Sequence, residues 1–164
     1  MSIDKNYPLK QIVEVKKKRE EDAEKVVKEK KAIVEKEEEK LAEVKKARDL
    51  VQNHYQEKLT QLRQVLDEGT TSETIKQMKD YLKVVKEKLA KEEVRVKEQQ
   101  KKVDAAMKEL EAAQKILKEK RKEVEKLEIH HQAWQKEART NLERKEELEL
   151  DEIGTTIYYG KKRS

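Results

Sequence analysis

Ile75, Met78, Leu82, Val85, Leu89, Val96, Val103, Ala106, Leu110, Ala113, Leu117 and Val124 recur in steps of three and four. The pattern is broken only at Glu92, Gln99 and Lys120. A seven-residue repeat keeps one narrow stripe of a helix facing one partner, because it fixes 3.5 residues per turn along the seam. So narrow a stripe cannot enclose a globular core. It needs one more helix beside it, and the sequence supplies one upstream. The chain therefore reads as all-α, a long antiparallel two-helix coiled-coil hairpin with the second helix overhanging the first.

Composition agrees with this reading. Charged residues make up 47% of the 164 residues and aromatics 4%, with no Phe and a single Pro. An apolar share of 34% is too small for a large core but sufficient for a two-stranded seam. Charge at this level also occurs in disordered chains, but those do not hold branched aliphatics in register over about seven heptads. The net charge of +5 is the small difference between 41 basic and 36 acidic residues, and the signs are interleaved. That distribution lacks the one-sided basic footprint of a nucleic-acid binder. With no cysteine, disulfide and thiol chemistry are absent. The opening MSIDKNYPLKQ has no apolar signal core, and no run approaches the roughly twenty apolar residues of a membrane span. The expected place of work is the cytoplasm.

Along the chain, residues 1–164 read as a single hairpin domain. Helix one is expected over about 8–68, with Pro8 in its first turn, where a missing N–H costs nothing. Its apolar positions thin out between Val15 and Ala23, where the seam should be weakest. The turn is expected at 69–70. Gly69 can take the left-handed conformation that ends a helix, and Thr70 with Glu73 has capping-box spacing. Helix two is expected over about 71–153, stopped by Gly154, with a tail at 154–164. A turn this short makes the helices antiparallel neighbours, so facing positions have numbers that sum to roughly 138. Pro8 then faces the region of His130. Everything from about His131 to Ile153 should overhang without an intrachain partner. Trp134, Ala138, Leu142 and Leu148 prolong an apolar stripe there, and isolated helices of this kind are marginal in water. The segment is thus a candidate partner-binding surface, and truncating Trp134, Leu142 and Leu148 should leave hairpin melting nearly unchanged.

Nothing in the sequence points to catalysis. There is no nucleophile–base pair, no glycine-rich phosphate loop and no acidic metal cluster, and a two-helix rod offers no concave site. The histidines are His54, His130 and His131; adjacent residues on a helix point about 100° apart and do not converge on a metal. No cofactor is expected. The basic runs Lys16-Lys17-Lys18-Arg19 and Lys161-Lys162-Arg163 lie toward the same pole of the hairpin. They read either as solvated charge or as contacts with an acidic partner. Tyr55 and Tyr81 are expected close together across the seam near the turn, with Leu59 beside them, either covering the seam or forming a second partner patch. Ala105-Ala106 and Ala112-Ala113 slim the middle of helix two, which favours close helix approach.

A hairpin of this size resembles the FliJ/YscO family of type III secretion stalk proteins, and most of all its chlamydial members. The resemblance rests on Tyr7-Pro8-Leu9, on Ala23 through Lys30, and on Asn53-His54-Tyr55, Gln61-Leu62-Arg63, Gly69-Thr70-Thr71-Ser72, Lys83-Val84-Val85 and Trp134. It covers most of the chain and fades after about Asn141. It implies a non-enzymatic stalk at the cytoplasmic face of the secretion apparatus. The pole bearing both termini, with Lys16, Lys17, Lys18, Arg19, Trp134, Ala138, Leu142 and Leu148, would enter the hexameric secretion ATPase. The opposite end, with Tyr55, Leu59 and Tyr81, would reach the export gate protein, and some members also bind secretion chaperones. The resemblance does not account for the acidic stretch Glu143 to Glu152. Two other readings compete: a structural spacer or self-associating coiled coil with no ATPase partner, and a helical arm on nucleic acid, which the interleaved charges disfavour.

Overall fold

The structure is a computed structural model that describes residues 3–163. Two helices account for nearly all of it: α1, Lys10–Glu68, and α2, Ser72–Lys162. No strand occurs among the described residues. The helices pack against each other as an all-α hairpin. By its packing the chain divides into two compact units, Met1–Glu24 with Ile116–Ser164, and Lys25–Lys115.

The unit Lys25–Lys115 contains the turn. Gly69 has φ +85°, a left-handed value that L side chains avoid, and it ends α1. The cap of α2 lies one residue later than the sequence predicts. Thr71, not Thr70, supplies the hydroxyl, whose Oγ1 accepts the Thr74 N–H at 3.3 Å. The Ile75 N–H closes the first turn onto the Thr71 carbonyl at 3.2 Å. Thr71 is thus the residue whose side chain relieves an orphan donor at the helix start.

Each helix contributes two interleaved heptad series to the seam. On α2 these are Ile75, Leu82, Leu89, Val96, Val103, Leu110, and Met78, Val85, Glu92, Gln99, Ala106, Ala113; all are buried or half-buried. On α1 they include Val27, Val34, Leu41, Tyr55, Leu62 and Val44, Val51, Val65. The two breaks in the α2 pattern that fall in this unit are polar seam residues. Gln99 is buried, and its Nε2 donates to the Glu37 carbonyl oxygen at 3.0 Å and to Glu37 Oε2 at 2.6 Å. This hydrogen bond, opposed by partial burial and aided by Lys40, holds the Glu37 carboxyl below the ordinary carboxylate range. Glu92 Oε1 accepts from Arg95 at 3.2 Å, while its buried Oε2 has no partner.

The unit holding both termini continues the same two series through Leu117, Val124 and His131, and through Lys120, Leu127 and Trp134. Opposite them, Val13 is 1% exposed and Ala23 is buried. Between them only Val15 is aliphatic, and it is half exposed, so this stretch is bridged by ion pairs. Lys16 meets Glu123 at 3.0 Å, and Arg121 meets Glu20 at 3.8 Å and Glu24 at 3.3 Å. The Lys16 hydrogen bond holds Glu123 below its ordinary range against partial burial, with Lys120 and Arg19 adding attraction.

Candidate partner-binding surfaces

The expected overhang changes at both ends. Residues before Pro8 are not merely a polar lead. The Asp4 carbonyl accepts the Tyr7 N–H at 3.1 Å and the Asp4 carboxylate accepts the Asn6 N–H at 3.3 Å, forming a turn that directs Tyr7 inward. Tyr7 is 3% exposed. Its hydroxyl hydrogen-bonds to His130 Nδ1 at 2.5 Å, and its ring meets His131 edge-on at 4.6 Å and Trp134 at 5.4 Å. His131 is buried and stacks on Trp134, with ring centroids 6.3 Å apart. Its Nε2 has no hydrogen-bond partner. His131 and Trp134 therefore belong to the intrachain seam, and the overhang begins after Trp134. Their side chains can be covered because Tyr7 supplies one more layer beyond Val13.

At the other end, α2 does not stop at Gly154. It runs through Gly154 and Gly160 to Lys162, so the segment expected as a tail is helical. The Thr155 and Thr156 hydroxyls donate to the carbonyls of Asp151 and Glu152 at 2.8 Å, within the helix. A glycine in a helix costs about 1 kcal/mol relative to alanine but does not forbid it. Ser164 lies outside the described residues. Every residue from 135 to 163 is exposed, among them Ala138, Leu142 at 58% and Leu148 at 63%. Of the basic run, Lys16 is committed to Glu123 and Lys17 is half-buried, whereas Lys18 and Arg19 are exposed.

In the turn-bearing unit, Tyr81 contacts His54 and Lys58. His54 Nε2 and the Tyr81 hydroxyl are 2.8 Å apart, and the Lys58 ammonium lies 5.8 Å from the ring centroid. Tyr55 and Leu59 are half-buried along the seam. Tyr81, 45% exposed, edges a shallow cleft of about 210 Å³ with Lys58, Gln61, Gln77 and Met78. Sequence reasoning singled out Tyr81 but not Lys58; the signal was its place four residues after His54 on the same helix face.

Among the described residues, no group of three potential ligands is placed to hold a metal, and no helix is long and apolar enough to cross a membrane. The geometry thus presents one exposed helical end and one cationic, aromatic patch near the turn.

The family model for YscO-like proteins matches residues 4–164, and the chain belongs to that family of type III secretion components. It is similar to a solved putative YscO homolog, CT670 from Chlamydia trachomatis, at 47% identity and TM-score 0.89, covering 96% of this chain and 98% of that one. It is also similar to a chain in the solved complex of the Chlamydia pneumoniae CdsV and CdsO proteins. There the identity is 51% and the TM-score 0.50, over 51% of this chain and 98% of that one. No curated protein matches the sequence.

Proposed function

We propose that this chain is a non-enzymatic central-stalk component working at the cytoplasmic face of a type III secretion apparatus. The unit bearing both termini engages the hexameric secretion ATPase, and the turn-bearing unit engages the export gate, with chaperone binding at the same end. The observation that carries the first contact is the helix beyond Trp134, which places Ala138, Leu142 and Leu148 in solvent with no second strand of its own chain beside them. Apolar side chains on an uncovered helix are stabilised by a partner. Lys18 and Arg19, exposed in the same unit, supply positive charge for an acidic surface there. The solved complex of CdsV and CdsO supports the second contact. Tyr81 with Lys58 is the patch best suited to it, because an exposed aromatic beside a cation offers both area and polarity.

Purified protein incubated with the cognate secretion ATPase tests this reading, with binding and ATP hydrolysis followed on the same samples. Binding with raised hydrolysis is the expected result. A chain that neither binds nor stimulates the ATPase would be a structural spacer instead. A CdsV-type protein, titrated against wild type and Tyr81→Ala, tests the other end; the variant should bind at least tenfold more weakly.

A further inference from the structure

We propose that the C-terminal end of α2, residues 147–163, forms an antiparallel contact with the same segment of a second copy of this chain. This goes beyond the stalk assignment and uses a different face of the helix. Leu150, Ile153, Ile157 and Gly160 follow one another at spacings of three, four and three. At about 100° per residue they fall within an arc of roughly 80°. Leu148, placed at the ATPase surface, points to nearly the opposite side by the same geometry. The stripe is therefore not a continuation of the intrachain seam through His131 and Trp134. It is a second apolar face, and it is open: Leu150 is 67% exposed, and Ile153 and Ile157 are each 56% exposed. A Cβ built on Gly160 would meet nothing within 4 Å.

The segment is complementary to itself in reverse. Its first part carries Glu147, Glu149, Asp151 and Glu152, and its end carries Lys161, Lys162 and Arg163. A parallel pair would set acid against acid. An antiparallel pair with its two-fold axis midway between Ile153 and Ile157 sets Ile153 of each copy against Ile157 of the other. It also sets Leu150 against Gly160, where the missing side chain admits the leucine. In such a pair, residues on the same flank of the two helices meet. Glu147 and Lys161 share one flank and Glu149 and Arg163 share the other, so both charge pairs form within two residues of that register, inside the reach of these long side chains. The arrangement is isologous and closes at two copies. It also gives the acidic stretch a role, as the counter-charge to the basic end of the second copy.

The test is sedimentation equilibrium of the full chain from roughly 1 to 500 µM, a range suited to a contact below standard interface size. A monomer–dimer equilibrium is expected, weakened at least tenfold by Ile157→Asp with unchanged helicity. Because the chain has no cysteine, Ile153→Cys and Ile157→Cys chains can be mixed and oxidised. The 153–157 disulfide should exceed the statistical mixture. A monomer at every concentration, a dimer indifferent to Ile157→Asp, or a prevalence of 153–153 and 157–157 disulfides would overturn the proposal. ATPase binding by the Ile157→Asp chain is read separately, so a failed dimer and a failed stalk assignment remain distinguishable.

Discussion

Tyr7 and Trp134 lie 127 positions apart in sequence, and their ring centroids are 5.4 Å apart. Trp134 is the single tryptophan, so its fluorescence reports this contact directly. Tyr7→Ala should shift its emission to the red and cost about 3–5 kcal/mol, as expected for removing a buried aromatic. Tyr7→Phe keeps the ring and loses only the bond to His130, a change of about 0.5–1.5 kcal/mol. Unaltered emission in Tyr7→Ala would show that the N-terminal residues do not cover Trp134 in solution.

The acid limb of stability should trace to two carboxylates. Glu37 and Glu123 are both held below the ordinary carboxylate range, the first chiefly by the Gln99 hydrogen bond and the second chiefly by that of Lys16. A group whose folded pKa is depressed stabilises the fold above its unfolded pKa, and that contribution is lost as pH falls through the folded value. Melting temperature should therefore drop as pH is lowered through and below the ordinary carboxylate range. In the Lys16→Met, Gln99→Leu double variant the drop should be shallower, measured by circular dichroism at a series of pH values. An identical acid profile in that variant would assign the limb to other carboxylates.

The seam was legible in the sequence because its residues repeat, and Leu82, Val85, Val103 and Leu117 are all buried. Its breaks at Glu92, Gln99 and Lys120 were visible, but not that Gln99 would be buried against Glu37, since a polar residue in a heptad carries no sign of its partner. The end of the seam was misplaced for the same reason: His131 and Trp134 stand at heptad positions, yet neither looks like the aliphatics before it. The rule that facing numbers sum to roughly 138 sets Tyr7 against His131, so the signal existed; a polar context around Tyr7 hid it. The helix through Gly154 was illegible because a glycine allows a stop without requiring one.

Val96 sits half-buried in the turn-bearing unit, one turn from the polar pair at Gln99. Val96→Asp places an unpaired carboxylate in the seam beside Glu92, whose Oε2 already lacks a partner. A loss of about 3 kcal/mol is expected, read as a melting temperature many degrees lower. Leu89→Asp should behave alike. Charged surface variants such as Lys91→Glu should change stability by less than about 0.5 kcal/mol. Unchanged melting in both seam variants would contradict the hairpin packing.

Fold and partner binding should separate along α2 at Trp134. Leu142 and Leu148 are more than half exposed and touch none of the seam, so replacing both with Ala should leave melting within about 0.5 kcal/mol of wild type. The same double variant should bind the secretion ATPase at least tenfold more weakly, since each buried leucine at an interface is worth about 1.5–3 kcal/mol. Trp134→Ala belongs to the other class: it removes the ring on which Tyr7 and His131 pack, and it should lower melting whatever it does to binding. Calorimetric melting and ATPase titration of the two variants side by side decide the matter. If Leu142 and Leu148 prove as costly to the fold as Trp134, the helix beyond Trp134 is covered within the free protein, and the ATPase contact must lie elsewhere.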